Sequence, residues 1–186
     1  LRRLTLPVII ALVALLSLAQ LNQHLILASD NASYIVLAQA LAQGRGYVMI
    51  NEPTAPPMTL YPPGFPLLLS IVLRAAGAVS DPLRAVAPLK LVALLFHLAS
   101  LPVLYGLARR RQGFIIAGAA TLLYGINPAM LTLATEILSE TPFIFLTLLG
   151  LLLLEWLGEE KGRGRRVWAL FGAAALCLAA AYYMRS

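Results

Sequence analysis

Long hydrophobic stretches separated by short polar segments are the main pattern along the 186 residues. A membrane-spanning helix needs about 20 mostly apolar residues. Five stretches approach or reach that length, at residues 4–21, 89–108, 114–133, 141–157 and 167–184. The pattern therefore predicts an all-α fold, a multi-pass transmembrane helical bundle whose five spans form one domain over residues 1–186.

The first stretch could instead be a signal peptide, because it lies at the start of the sequence. Its apolar core is longer than that of most signal peptides, and no A-x-A-like site follows before Asp30. We therefore prefer an uncleaved membrane anchor. Since the sequence begins without Met and stops directly after an apolar run, we expect it to be the N-terminal part of a longer protein.

The connection between the first two spans, residues 22–88, is much longer than the other connections and contains two amphipathic segments. In the first segment, apolar residues recur at i, i+3, i+4 and i+7, which is the helical period; they are Tyr34, Leu37, Ala38 and Leu41. Gly44 and Gly46 should end this helix. It is too short to span a membrane, so we expect it to lie in the interface plane.

The second amphipathic segment follows a proline-rich turn, Tyr61-Pro62-Pro63-Gly64. Pro66 should open this helix and Gly77 should end it. Its apolar face consists of Leu67, Leu68, Ile71 and Val72. The external loop is therefore expected to hold two interfacial juxtamembrane helices joined by an aromatic turn.

Clusters of positive charge between the spans predict the orientation of the chain. They comprise Arg2 and Arg3, Arg109 to Arg111, and Lys161 with Arg163, Arg165 and Arg166. All fall on one side if five segments span, and Lys and Arg are enriched on the cytoplasmic side. We expect a protein of the cell (plasma) membrane with a cytoplasmic N-terminus and residues 22–88 outside.

Composition agrees with a membrane protein and argues against a nucleic-acid-binding or a disulfide-rich protein. Hydrophobic residues make up 60% of the chain and charged residues 12%, with a mean hydropathy of +0.83. The net charge of +6 could suggest nucleic acid, but many of the basic residues flank apolar spans, so no nucleic-acid partner is expected. Cys177 is the only cysteine, which excludes a disulfide framework and a cysteine metal site.

Three acids on the external side are candidates for chemistry. Asp30 could cap the following helix, or take a proton from an acceptor hydroxyl. Glu136 and Glu140 are four residues apart, so they could share a helical face, although Glu140 could instead cap the fourth span. Acids from two external loops could also hold a divalent cation, but no ligand spacing specifies one, and no other cofactor is indicated.

Four basic residues on the external side could bind a phosphate, namely Arg45, Arg74, Arg84 and Lys90. Arg suits this task because its guanidinium binds two oxygens at once. Each could equally be a headgroup contact with its apolar stem in the membrane. His97, in the middle of the second span, is best interpreted as a hydrogen-bonded contact between helices.

Several short motifs together resemble the N-terminal part of the C-type (GT-C) membrane glycosyltransferases. The motifs are Asp30 with Tyr34, Gly44-Arg45-Gly46-Tyr47, Tyr61-Pro62-Pro63-Gly64 and Ser139-Glu140-Thr141-Pro142-Phe143. The most similar branch is the protein O-mannosyltransferase and aminoarabinose transferase group, with its family 39-like members. The resemblance extends from the first span to the fifth.

This resemblance implies transfer of a sugar, with inversion, from a polyprenyl-phosphate donor to a lipid, glycan or protein acceptor outside the membrane. It assigns Asp30 as general base and Glu140 to an acidic position before the fourth span. Tyr34 matches an aromatic residue that follows the base. Tyr61 stands where the aminoarabinose branch has a lysine associated with the donor phosphate, so phosphate binding by this turn is not implied. With Arg45, Arg74 and Glu136, these two tyrosines complete the predicted substrate-binding set.

A non-enzymatic transporter or lipid-binding protein is the alternative. Spans interrupted by Pro and Gly, together with His97, would suit a transporter. However, the sequence contains no inverted repeat, and its polar residues gather at one interface rather than at the middle of the membrane.

Overall fold

The computed structural model describes residues 4–25, 30–160 and 164–185. Within these ranges lie seven α-helices and a 3-10 helix at Pro82–Ala85. The α-helices are α1 Thr5–Gln20, α2 Asn31–Ala42, α3 Gly64–Ala75, α4 Val86–Ile126, α5 Pro128–Ala134, α6 Glu140–Glu159 and α7 Arg165–Met184. The described residues form no strand, and their single isolated β-bridge joins Val48 and Pro57. The predicted all-α class is confirmed.

In the described part of the chain, three helical segments are long and apolar enough to cross a membrane: Pro82–Ile126, Glu140–Glu159 and Arg165–Met184. Helix α1 has 16 residues, which corresponds to about 24 Å at the rise of an α-helix. That length is shorter than the roughly 30 Å hydrocarbon core of a bilayer. The described residues thus form an all-helical structure with three candidate membrane-spanning helices.

Helix α4 reverses direction at Gly113, so it consists of two arms, residues 86–112 and 114–126. Gly113 has φ 78° and ψ −177°, and only glycine adopts this backbone readily. Ser100 and Tyr124, 24 residues apart, face each other with their hydroxyl oxygens 3.0 Å apart. The His97 ring packs 5.3 Å from that of Tyr124, and its Nε2 lies 3.4 Å from the Gly125 carbonyl oxygen. The arms are therefore antiparallel, and His97 is the expected contact between helices.

The second arm ends at Ile126 rather than near residue 133, where the third stretch was expected to end. Asn127 leaves the helical conformation, and its side chain accepts a hydrogen bond from the Ala129 backbone at 2.9 Å. Pro128 occupies the first turn of the next helix, where its missing N–H costs nothing. The predicted third span is therefore divided between the second arm and α5.

Glycines let neighbouring helices approach closely within the bundle. A Cβ added at Gly125 would lie 2.5 Å from Val13 of α1, and one at Gly150 would lie 2.8 Å from Leu178 of α7. Small residues at helix contacts are typical of membrane bundles, where packing replaces the hydrophobic driving force.

Ion pairs gather at two opposite ends of the bundle. The Asp30 end holds Asp30 and the pairs Lys90–Glu136 and Arg185–Glu140. The Arg110 end holds the pairs Arg110–Glu159, Arg111–Glu155 and Arg166–Glu160. Helix α6 connects the two ends, since it begins at Glu140 and ends at Glu159.

Helices α2 and α3 pack against each other at the Asp30 end. Their contact buries Tyr34, Ile35 and Ala38 against Phe65, Leu69 and Leu73. As predicted, α2 ends before Gly44 and Gly46 and α3 before Gly77, and all three glycines have positive φ. Helix α3 begins at Gly64, two residues before the expected Pro66.

The apolar face predicted for α3 is divided between the core and the surface. Leu68 and Val72 pack against the cluster that joins α2 and α3, whereas Leu67 is 54% exposed and Ile71 is 60% exposed. Leu67 and Ile71 therefore form an exposed apolar strip on α3.

Candidate functional site

Asp30 presents an exposed carboxylate at the start of α2. It occupies the N-cap position, but its side chain makes no capping hydrogen bond. Instead its Oδ1 accepts a hydrogen bond from the Tyr61 hydroxyl at 2.7 Å. The expected helix-capping role of this side chain is therefore not observed. Its carboxylate is exposed to solvent and bonded to Tyr61.

Tyr61 is held in place by its neighbours. The Tyr47 hydroxyl donates to the backbone carbonyls of Tyr61 at 2.9 Å and of Pro62 at 3.1 Å. The Tyr61 ring packs 5.2 Å from that of Tyr34, which meets Phe65 edge-on at 5.1 Å. The proline-rich turn thus fixes the donor that orients Asp30.

These tyrosines remain protonated donors at ordinary pH. The hydrogen bond to the Asp30 carboxylate, followed by burial, raises the pKa of Tyr61. Burial raises the pKa of Tyr47 to about 12. Burial also raises the pKa of Tyr34, whose hydroxyl lies 3.0 Å from the Ser139 Oγ. Tyr34 thereby ties α2 to the loop between α5 and α6.

Glu136 is a buried structural acid, 5% exposed. Its Oε1 accepts from the Lys90 ammonium at 3.0 Å and its Oε2 from the Asn31 amide at 2.8 Å. Lys90 also donates to the His24 carbonyl at 2.6 Å and to Asn22 Oδ1 at 3.3 Å. Because both oxygens of Glu136 are occupied, this acid joins three segments of the chain and does not face solvent.

The expectation that Glu136 and Glu140 share a helical face is wrong. Helix α5 ends at Ala134 and α6 begins at Glu140, so Glu136 lies in the intervening loop. The physical reason is Pro142, which lacks an N–H and is tolerated only in the first turn of a helix. That constraint fixes the start of α6 close to Glu140 and prevents a continuous helix through both acids.

Glu140 is partly exposed and carries its own counter-ion. Arg185, at the end of α7, lies 2.5 Å from the Glu140 Oε1. The three acids therefore differ: Asp30 has a neutral donor, Glu140 has an arginine, and Glu136 has a buried lysine.

The predicted phosphate-binding residues do not converge. Arg74 donates to the Leu41 carbonyl at 3.0 Å, Arg84 pairs with Asp81 at 2.9 Å, and Lys90 is buried with Glu136. Arg45 is exposed, and its side chain makes no hydrogen bond or ion pair within residues 4–25, 30–160 and 164–185. The structure brings neither Arg45 nor Arg74 into contact with the acids.

No metal centre is evident in the part of the chain that the structure describes. No three His, Cys, Asp or Glu side chains in it converge closely enough to bind an ion. The divalent cation considered from the sequence therefore gains no support from the fold.

Sequence reasoning missed several residues that shape this site, in particular Asn31, Tyr47 and Arg185. Asn31 and Arg185 each stand beside the end of an apolar segment, where a polar side chain can meet an acid from another loop. Their position was visible in the sequence, but their partners are at least 45 residues away along the chain.

Comparisons of the chain with protein-family models, with curated proteins and with solved structures found no match.

Proposed function

We propose that this chain carries the acceptor-activating site of a membrane glycosyltransferase. The enzyme would move a sugar from a polyprenyl-phosphate donor to a hydroxyl of a lipid, glycan or protein on the external face, with inversion at the anomeric carbon. The observation that carries the proposal is the carboxylate of Asp30, exposed and oriented by Tyr61 through a 2.7 Å hydrogen bond.

The chemistry requires a base for the acceptor hydroxyl and a positive charge for the departing phosphate. Asp30 takes the proton of the acceptor hydroxyl as that oxygen attacks the anomeric carbon and the bond to the lipid phosphate breaks. Tyr61 engages only Oδ1, and Oδ2 accepts no hydrogen bond from the described residues. One carboxylate oxygen is thus oriented and the other is available for the proton.

The departing lipid phosphate needs a positive charge nearby. Arg45 supports that role because it is exposed and not engaged with any acid in the described chain. Arg74 is the second candidate, since its guanidinium is held only by a neutral carbonyl. Glu140 is the alternative base, but its carboxylate is already paired with Arg185.

The remaining predicted residues position the site. Tyr34 holds the ring of Tyr61, and Glu136 holds the first turn of α2 through Asn31. We assign neither to direct contact with substrate, because the Tyr34 ring and the Glu136 carboxylate are buried.

We further propose five spans in the cell membrane with a cytoplasmic N-terminus. The spans would be α1, the two arms of α4 (the second continued by α5), α6 and α7, with α2 and α3 as juxtamembrane helices outside. The exposed leucine and isoleucine face of α3 supports an interfacial position, and the arginines of the Arg110 end support its cytoplasmic location.

A transporter gains no specific support. Its polar site would lie near the middle of the spans, where His97, Ser100 and Tyr124 instead pack against one another as a contact between the arms of α4.

The proposal is tested by incubating the protein in lipid nanodiscs with a panel of radiolabelled polyprenyl-phosphate sugars and a membrane lipid extract as acceptor. We expect label to move from the donor to a new product with inverted anomeric configuration, as judged by glycosidase digestion. Absence of transfer from every donor, by protein that melts cooperatively, would reject the transferase.

A further inference from the structure

A small pocket of about 290 Å³ opens at the Asp30 end, between the proline-rich turn and the last turn of α7. Four tyrosines and two prolines form most of its wall: Tyr47, Tyr61, Tyr182, Tyr183, Pro62 and Pro63. We call it the tyrosine pocket. None of the residues that line it is charged.

Two of the four tyrosine rings, those of Tyr182 and Tyr183, form a corner of the pocket and have available hydroxyl groups. The Tyr182 and Tyr183 rings are 5.9 Å apart and nearly perpendicular, at 83°. Their hydroxyls make no hydrogen bond to the described residues, whereas those of Tyr47 and Tyr61 are already engaged. Two rings are thus fixed by the protein, and two present unused hydroxyls to a ligand.

We propose that the tyrosine pocket binds one neutral sugar ring of the acceptor. The C–H face of a pyranose is apolar and slightly positive, so it packs on the negative face of an aromatic ring. Its hydroxyls lie around the edge, where the free tyrosine hydroxyls can pair with them. The volume is at the lower end of the range for ligand pockets, roughly 300–1,000 Å³, and suits one ring rather than a chain.

The absence of charged residues in the pocket lining favours the acceptor sugar over the donor sugar as its ligand. The donor sugar is bonded directly to a phosphate, which would need a cation beside it, and the pocket offers none. An unphosphorylated ring needs none. Tyr61 belongs to the pocket wall and also donates to Asp30, so a ring held there lies one side chain away from the carboxylate.

The assignment to the acceptor rests on the proposed transferase, but binding of a sugar can be measured without it. Saturation-transfer NMR would be recorded on the protein in nanodiscs with methyl glucoside, galactoside, mannoside and N-acetylglucosaminide. We expect saturation on the ring protons of one face for at least one of these glycosides. Tyr182→Ala and Tyr183→Ala should each weaken its binding about tenfold, the loss of one aromatic contact.

The matched control is Trp168→Ala, which removes an exposed ring from the same helix at the Arg110 end and should leave glycoside binding unchanged. Tyr182 and Trp168 are 65% and 70% exposed, so neither truncation leaves a core cavity, and equal melting temperatures would verify this. Tyr182→Phe should keep the stacking and lose only the contribution of the hydroxyl.

Three results would overturn the proposal. One is the absence of saturation for all four glycosides, and another is binding that survives both tyrosine truncations. The third is displacement of the glycoside by decanol or tighter binding of a sugar-1-phosphate, which would assign the pocket to a lipid chain or to the donor. Glycoside binding without sugar transfer would support the sugar-binding pocket and reject only the transferase activity. Sugar transfer without glycoside binding would support the transferase activity and reject the sugar-binding pocket.

Discussion

The three acids at the Asp30 end differ in the partner of each carboxylate, and the partner sets what each can do. Glu136 is buried with both oxygens occupied, Glu140 lies against Arg185, and Asp30 is exposed beside a single neutral donor. A base must be able to reach a substrate proton. Of these three acids, Asp30 is the most exposed and is oriented by a neutral donor, so at the scale of single residues it is the best candidate base.

Asp30→Asn should abolish most sugar transfer while leaving the fold intact. Asparagine still accepts the Tyr61 hydrogen bond, but it cannot take a proton, and a general base contributes about 10²–10⁴-fold in rate. Because the Asp30 side chain makes no capping bond, we expect the melting temperature to stay the same. Transfer kinetics and thermal melting of the purified protein measure the two effects.

The matched control for this substitution is Asp81→Asn, which removes an exposed carboxylate paired only with Arg84. It should transfer sugar at the parental rate. If Asp30→Asn also stays within a few-fold of the parent, the base lies elsewhere, and Glu140→Gln becomes the next variant to measure.

Glu136→Gln should destabilise the protein strongly, because it leaves the Lys90 ammonium buried without its counter-charge. Removing one partner of a buried ion pair costs about 3–5 kcal/mol. Lys90 keeps its contacts with His24 and Asn22, so we expect the lower part of that range. Thermal or urea unfolding in detergent gives the measurement.

The control for Glu136→Gln is a substitution that breaks an exposed ion pair. Asp81→Asn breaks a surface pair and should cost less than about 1 kcal/mol. The double variant Lys90→Met with Glu136→Leu should recover part of the stability, since no buried charge remains. Equal stability of Glu136→Gln and the parent would mean that the pair is not buried in the membrane-embedded protein.

At the scale of elements, the backbone contact between α3 and α7 holds the proline-rich turn. A Cβ on Gly64 would lie 2.5 Å from the Tyr183 carbonyl oxygen and 2.9 Å from its carbon. Neither atom belongs to a flexible side chain, so α7 must move to accept any larger residue. The same contact places Tyr182 and Tyr183 opposite Tyr61.

Gly64→Ala should therefore displace the end of α7 from the turn. We expect a loss of about 1–3 kcal/mol, typical of overpacking, and a fall in transfer larger than the change in stability explains. Membrane insertion should be normal, because no span changes. The measurements are thermal melting, transfer rate and the amount of protein in the membrane fraction.

Gly172→Ala is the control for this prediction, because it lies on the same α7 and has nothing within 4 Å of the added Cβ. Its stability should be unchanged or higher, by up to about 1 kcal/mol, as expected when alanine replaces glycine in a helix. If the two alanine variants behave alike, α7 does not pack on the turn. Loss of insertion in Gly64→Ala would instead give the turn a role in folding.

At the scale of the whole molecule, the charged residues at the two ends predict how the bundle is oriented in a membrane. The Arg110 end carries Arg109 to Arg111 beside Arg165 and Arg166, and the Asp30 end carries the acids and the aromatic turn. Positive charge is retained on the cytoplasmic side. The candidate site and the basic clusters should therefore lie on opposite faces of the bilayer.

Reporter fusions test this orientation directly. An alkaline phosphatase reporter inserted at Asn51–Pro57 should be active, because that enzyme folds only outside the cytoplasm, whereas one after Arg111 or after Gly158 should be inactive. A fluorescent-protein reporter at the same three positions should give the opposite pattern. An external signal after Arg111 would place Asp30 inside and remove the basis for an external acceptor.

The sequence by itself determined the class of fold, because hydrophobic length and period are local properties. Apolar runs of about 20 residues indicate helices. Gly44, Gly46 and Gly77 follow the ends of helices, where the backbone takes a positive φ that glycine adopts readily. Gly113, between two apolar runs, becomes the reversal of α4 for the same reason. The start of α6 was equally local, since Pro142 restricts it.

Only the tertiary structure decided which carboxylate is buried, which is paired and which is exposed. Lys90 meets Glu136 across 46 residues and Asn31 meets it across 105, and no local pattern encodes such distances. The contact of Gly64 with Tyr183, which builds the tyrosine pocket, joins residues 119 positions apart along the chain. The energies of these contacts depend on burial and on the partner's position, both of which arise when the helices pack.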